Sequence, residues 1–173
     1  MGGEALAPSR SRRPVWLGPL SLLLLLAPAP VREWPPQPEW TQTEPPIDLA
    51  HIDRGAINHL GEPVGYHHRA DGIDPPGARV LHIVQPPDAN GIYRALVAVR
   101  DPLTGAWLEK RAASTFFPDA MSDAAIVDAV IAAFRNSRRY LDGRFIGSSG
   151  HGFAVEGWYR GGRILAAYPL RGP

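Results

Sequence analysis

Two histidines and a lysine in this chain form a set that can break RNA through the substrate's own 2′-hydroxyl. His51 opens the stretch His51-Ile-Asp-Arg-Gly55, and His67 lies 16 residues on, in Val64-Gly65-Tyr66-His67-His68. One imidazole can take the 2′-OH proton while the other protonates the departing 5′-oxygen, each working best with a pKa near the working pH. Lys110 heads a second cluster, Lys110-Arg-Ala-Ala-Ser114-Thr115-Phe116-Phe117-Pro118-Asp119, and can place fixed positive charge where a phosphorane dianion develops. That chemistry requires no metal and no other cofactor. A third cluster, Gly162 to Pro169, ends on Tyr168, an aromatic face on which a base can stack for ~1–3 kcal/mol.

Each of these residues also has an ordinary explanation. A histidine taken singly is more often structural than catalytic, Tyr168 at a strand end reads as core or rim, and Lys110 beside Arg111 reads as a solvated strand edge. A metal set of His51, His67, His68 and His82 is the competing chemical reading, since neutral imidazoles are common ligands. Adjacent residues on a strand point to opposite faces, which argues against His67 and His68 reaching one ion.

The elements that must position these groups can be read from periodicity and turn residues. A short helix is expected over 47–57, carrying His51 and ending near Gly55, and an extended segment over 64–69. Alternation and β-branching predict strands over 79–85 and 92–100, joined across Pro86-Pro87-Asp88-Ala89-Asn90-Gly91. Another strand is expected over 105–113. The clearest helix is Ser122 to about Arg138, because Ile126, Val127, Val130, Ile131 and Phe134 share one face at a 3.6-residue period. Ser122 can cap it, and Asp123 at its start and Arg135 to Arg139 at its end suit the helix dipole. From Arg144 to Leu170 the chain alternates and turns at Arg160-Gly161-Gly162. The expected class is therefore α+β, with about six antiparallel strands, one long amphipathic helix and one or two short ones.

Bulk composition narrows the functions. The chain has 173 residues, 18 basic against 17 acidic, for a net charge of +1. That is not the footprint of a protein that coats nucleic acid, but an enzyme gripping one or two phosphates is compatible with it. The absence of cysteine excludes thiol catalysis, disulfides and Cys-ligated zinc. Lys110 is the sole lysine in a chain that otherwise uses arginine.

Residues 1–29 read as a signal peptide or N-terminal membrane anchor. Arg10, Arg12 and Arg13 precede an apolar run from Val15 to Leu26, which reaches Ala27-Pro28-Ala29. Residues 30–46 are Pro-rich with no hydrophobic period and read as an extended linker, so the folded domain is expected over 47–173. Export, secreted or periplasmic, is the localisation this implies, with membrane contact only through an uncleaved anchor.

The clusters, in this order, resemble the bacterial EndoU nuclease family, found as toxin modules of contact-dependent inhibition systems and related to coronaviral and eukaryotic uridylate-specific endoribonucleases. The matching residues are His51-Ile-x-x-Gly, Gly65-Tyr66-His67-His68, the run Ser114 to Ser122, Ser148-Ser149-Gly150-x-Gly152-Phe-x-Val-Glu156-Gly157, and Ala167-Tyr168-Pro169. The resemblance implies an endoribonuclease acting on single-stranded RNA at uridylates and leaving a 2′,3′-cyclic phosphate, with DNA not a substrate and an immunity protein as partner. It implies His67 and His51 as base and acid in one order or the other, with Lys110 catalytic. It also implies Tyr168 against the uridine, Ser114 at the uracil edge, and Gly65 beside the substrate. Where the family usually carries Thr, this chain has Ala166. Loss of that hydroxyl motivates the alternative of a catalytically weakened RNA- or protein-binding module on the same fold.

Overall fold

A computed structural model of the chain describes residues 38–172 together with Gly2. The segment read as a signal or anchor, and the linker up to residue 37, lie outside the described residues. The described residues from 38 to 172 belong to one compact unit.

The unit is α+β, as expected. Helix α1, Leu49–Asp53, is little more than one turn, begun by the Asp48 carboxylate accepting from the His51 amide at 3.1 Å. The small antiparallel pair β1 (Ala56–Ile57) and β2 (Pro63–Val64) follows. Strands β3 (Ala78–Gln85), β4 (Tyr93–Arg100) and β5 (Trp107–Glu109) form one antiparallel sheet, and β6 (Ser114–Phe116) pairs with the other end of β4. After α2 (Asp123–Arg135) come β7 (Arg138–Arg139), β8 (Arg144–Ser148), β9 (Ala154–Arg160) and β10 (Arg163–Leu170), in the spatial order β10-β9-β8-β7.

Helix α2 begins where its capping residue predicts, with Ser122 Oγ accepting from the Ala125 amide. It stops three residues short of the expected Arg138. Ser137 Oγ folds back onto the Phe134 carbonyl, and Arg138 and Arg139 pair with Ile146 and Phe145 of β8. The strand expected over 105–113 is also shorter. Its ladder with β4 ends at the Lys110 amide on the Val97 carbonyl, after which the chain bends and rejoins β4 as β6.

The end of the Pro-rich stretch makes backbone contacts with the domain. Trp40 pairs with Asp48, the Leu49 amide reaches the Glu39 carbonyl at 3.0 Å, and the Ile164 amide reaches the Pro46 carbonyl at 2.9 Å. Proline cannot donate to a ladder but its carbonyl accepts, so a Pro-rich stretch can still serve as a sheet-edge partner. The packed unit therefore begins before Ile47.

Two apolar clusters hold the unit together. Ile126, Val130, Ile131 and Phe134 of α2 pack on Phe145, Val155, Ile164 and Ala167, with Phe134 and Phe145 edge to face at 5.3 Å. Each of the valine, isoleucine and phenylalanine side chains, fully buried, contributes about 1.5–3 kcal/mol. The helix lies close enough to β8 that a Cβ on Gly147 would fall 2.0 Å from the Ala133 carbonyl oxygen, so only glycine fits there. In the second cluster the inward residues of β4 meet Tyr66 and Phe116, with Tyr93 stacked on Phe116 at 4.8 Å.

Candidate functional site

A sharp backbone reversal brings the two histidines together. After β2 the chain passes through Gly65 at φ +72° and Tyr66 at φ +60°, a conformation unusual for a tyrosine and costing of order 1 kcal/mol or more. It is held on both sides. The Tyr66 amide donates to the His51 carbonyl, the His67 amide to the Ile52 carbonyl, and the buried Tyr66 ring meets Phe116 while its hydroxyl bonds Asp74. The result sets the His67 ring 6.2 Å from that of His51, centre to centre. A Cβ on Gly65 would fall 2.3 Å from the His51 carbonyl oxygen, so the approach depends on glycine.

Lys110 is tied to the same reversal. Its ammonium donates to the Gly65 carbonyl at 3.1 Å and to Ser114 Oγ at 2.8 Å, and Ser114 in turn donates to Gly65 at 3.2 Å. Ser114 is buried and does not line the cavity in front of the histidines. Its hydroxyl is spent on the lysine and the Gly65 carbonyl, which differs from the expectation that it faces a base edge.

That cavity, of about 450 Å³, is lined by His51, Gly65, His67 and Lys110, and by Tyr168 and Ala166 of β10. Tyr168 lies 5.1 Å from His67, 28° from parallel, and Trp158 stands 5.9 Å from Tyr168. Trp158 reaches this wall because of a bulge. The β9–β10 pairing runs Arg160 with Arg163 and Tyr159 with Ile164, then skips Leu165 so that Trp158 faces Ala166. Directly paired residues share a face, so Trp158, Ala166 and Tyr168 form one surface. Thus the structure brings together His51, His67, Lys110, Gly65, Ala166 and Tyr168, and places Ser114 just beneath them.

The description "Bacterial EndoU nuclease" belongs to a family model that matches residues 47–171. The chain belongs to the bacterial EndoU nuclease family. A Bacillus cereus protein named "Toxin" is 32% identical over 126 residues, 72% of this chain and 22% of that protein. The chain thus spans about a fifth of the length of that relative. No solved structure matches it.

Within this EndoU domain the electrostatics follow from burial around one cation. Burial, and then the Lys110 charge, lowers His51 to about 4. Burial first, then Lys110 and His51, holds His67 well below the ordinary 6.5. Burial alone brings Lys110 down to about 8. His67 Nδ1 lies 2.9 Å from the Thr115 carbonyl, which can only accept, so Nδ1 carries the proton and Nε2 keeps a free lone pair. Tyr168 is pushed up to about 12 by burial and then by Glu156.

His68 points away from this cavity. Nδ1 meets Asp53 at 3.1 Å and Nε2 meets the Met121 carbonyl at 3.0 Å, which ties α1 to the start of α2. His82 sits exposed on β3. The four histidines of the metal reading are therefore not brought together. Among the described residues, the group whose ligand atoms lie within 4.8 Å of one another is Asp53, His68 and Asp123. Arg94, Thr115 and Trp158 line the cavity of the EndoU domain without having been singled out from sequence. A hairpin turn at Gly161-Gly162 does bring Trp158 near the Tyr168 strand, but a regular hairpin would set it opposite Leu165.

Proposed function

We propose that this domain cuts single-stranded RNA on the 3′ side of uridylates, leaving a 2′,3′-cyclic phosphate and a free 5′-hydroxyl. The observation that carries the reading is the convergence of His51, His67 and Lys110 on one cavity, with the Tyr168 ring beside them. His67 Nε2 takes the 2′-hydroxyl proton, the 2′-oxygen bonds to phosphorus, and the phosphorus bond to the 5′-oxygen breaks. His51 gives a proton to that leaving oxygen. Lys110 offsets the charge on the phosphorane, and Ser114 and the Gly65 carbonyl position it.

Both imidazoles are neutral at pH 7 in the free protein. A phosphodiester beside Lys110 offsets the charge that, after burial, depresses them, which raises His51 toward carrying the proton it later donates. The uridine preference rests on the family resemblance, with the Tyr168 ring lining the cavity beside His67 as the base platform. The name of the Bacillus cereus relative and the apolar run near the N-terminus support a secreted or periplasmic antibacterial toxin. An immunity protein is the partner such a role requires.

The test is cleavage of a uridine-containing oligonucleotide in EDTA, with mass spectrometry of the product ends. His51→Ala and His67→Ala are each expected to lose ~10²–10⁴-fold. Equal activity in wild type and His67→Ala would sink the reading.

A further inference from the structure

One arginine in the cavity is left without an acidic partner. Arg94 lies on β4 directly across from Thr115 of β6, and its side chain lines the same cavity as His67, Lys110 and Tyr168. Among the described residues Arg94 has no carboxylate within 4 Å, a state it shares with other arginines such as Arg79, Arg100 and Arg163; it differs from them in lining the cavity of the two histidines. No aspartate or glutamate lines the cavity. The nearest acid to Tyr168 is Glu156, and Arg144 stands 3.6 Å from it. A half-buried guanidinium has five donors in a planar fork that fits phosphate oxygens, and here the protein offers it no anion.

Sheet register separates Arg94 from Lys110. The Thr115 carbonyl holds His67 Nδ1, so Nε2 is the ring nitrogen left for the substrate. Arg94 is paired with Thr115 and shares its sheet face, whereas Lys110 bonds the adjacent Ser114, whose side chain lies on the opposite face. We propose that Arg94 binds a second backbone phosphate of the RNA strand, the neighbour of the one that is cut. This rests on the ribonuclease reading given above. It makes the site a two-phosphate clamp in which Lys110 meets the scissile group and Arg94 sets the register of the strand, consistent with a domain of low net charge that grips RNA locally.

The test compares wild type, Arg94→Gln and Arg94→Lys on UpA, ApUpA and UpApA in EDTA, with circular dichroism and Tm to check folding. Wild type is expected to prefer one trinucleotide over UpA in kcat/KM. Arg94→Gln is expected to lower that trinucleotide-to-dinucleotide ratio about tenfold, and Arg94→Lys to restore part of it. A ratio unchanged in Arg94→Gln, or an equal loss on all three substrates, overturns the proposal. If wild type cuts none of them, the ribonuclease reading fails, and the phosphate site is then read by binding of 2′-O-methyl UpApA and ApUpA. In that assay Arg94→Gln is expected to flatten the log–log salt dependence by about 0.7, and equal slopes overturn the proposal.

Discussion

The His51 and His67 rings stand 6.2 Å apart and 29° from parallel, and the Tyr168 ring continues the row 5.1 Å beyond His67. Three separate elements supply them: a one-turn helix, the reversal after β2, and the last strand. Burial first, and then the Lys110 charge, depresses both imidazoles, so one cation adds to the titration of the pair. That coupling and the packing that enforces it lead to specific outcomes.

The kcat/KM of the free enzyme is expected to peak below pH 6.5, because His51 sits at about 4 and His67 well below its ordinary value. Above about pH 8, Lys110 loses its proton and the decline should steepen. Lys110→Gln removes the charge that adds to burial in depressing both histidines, so its optimum should move to higher pH while its rate falls ~10²–10³-fold. A pH–rate profile for a uridine dinucleotide checks this, and an optimum moving to lower pH would contradict it.

Stability should share part of this pH dependence. His51 has a folded pKa below its unfolded value, so the unfolded chain takes up its proton first as pH falls. Its contribution is complete above 6.5 and is lost as pH drops toward about 4. Tm measured across that window should fall in wild type and fall less steeply in His51→Gln, which has no proton to gain.

Gly65→Ala should cost roughly 1–3 kcal/mol, from the left-handed backbone and the contact with the His51 carbonyl. Activity should fall further than stability explains, since the clash also displaces His51. Denaturant midpoints alongside kcat/KM separate the two effects. Activity retained at the wild-type level in a folded Gly65→Ala would show that the approach of the two segments is not needed.

Ala166→Thr restores a hydroxyl to the wall shared by Trp158 and Tyr168. One hydrogen bond gained at a base or phosphate is worth about 0.5–1.5 kcal/mol. Uridine-over-cytidine selectivity should rise by up to about tenfold with Tm little changed. RNA binding without product in wild type, turned into cleavage by this substitution, would favour the weakened binding module over the nuclease.

Tyr168→Phe keeps the ring and should leave most of the affinity, whereas Tyr168→Ala should lose ~1–3 kcal/mol of base stacking. Comparing KM for the two variants on one oligonucleotide checks it, and equal effects would place the contribution in the hydroxyl at Glu156 instead.

Much of this protein is determined by sequence alone, for local reasons. The face of Ile126, Val130 and Phe134, with Ser122 before it, specifies α2 because helix period and capping act within a few residues. Hairpin turns and alternation specify β3, β4, β9 and β10 on the same scale. Residue type, order and resemblance single out His51, His67 and Lys110 as candidates, and the fold gathers them at one cavity. Tertiary structure alone decided what depends on distant partners. Arg138 and Arg139 left the helix because β8 offered them hydrogen bonds, and residues 39–46 joined the domain because β10 and α1 met their carbonyls. Ser114 went beneath Lys110 because the Gly65 carbonyl gathers both. Trp158 faces the cavity only because a bulge skips Leu165, and Arg94 only because β6 pairs beside it. Registers and bulges are settled by contacts between separate segments, and a one-residue slip turns every side chain to the opposite face.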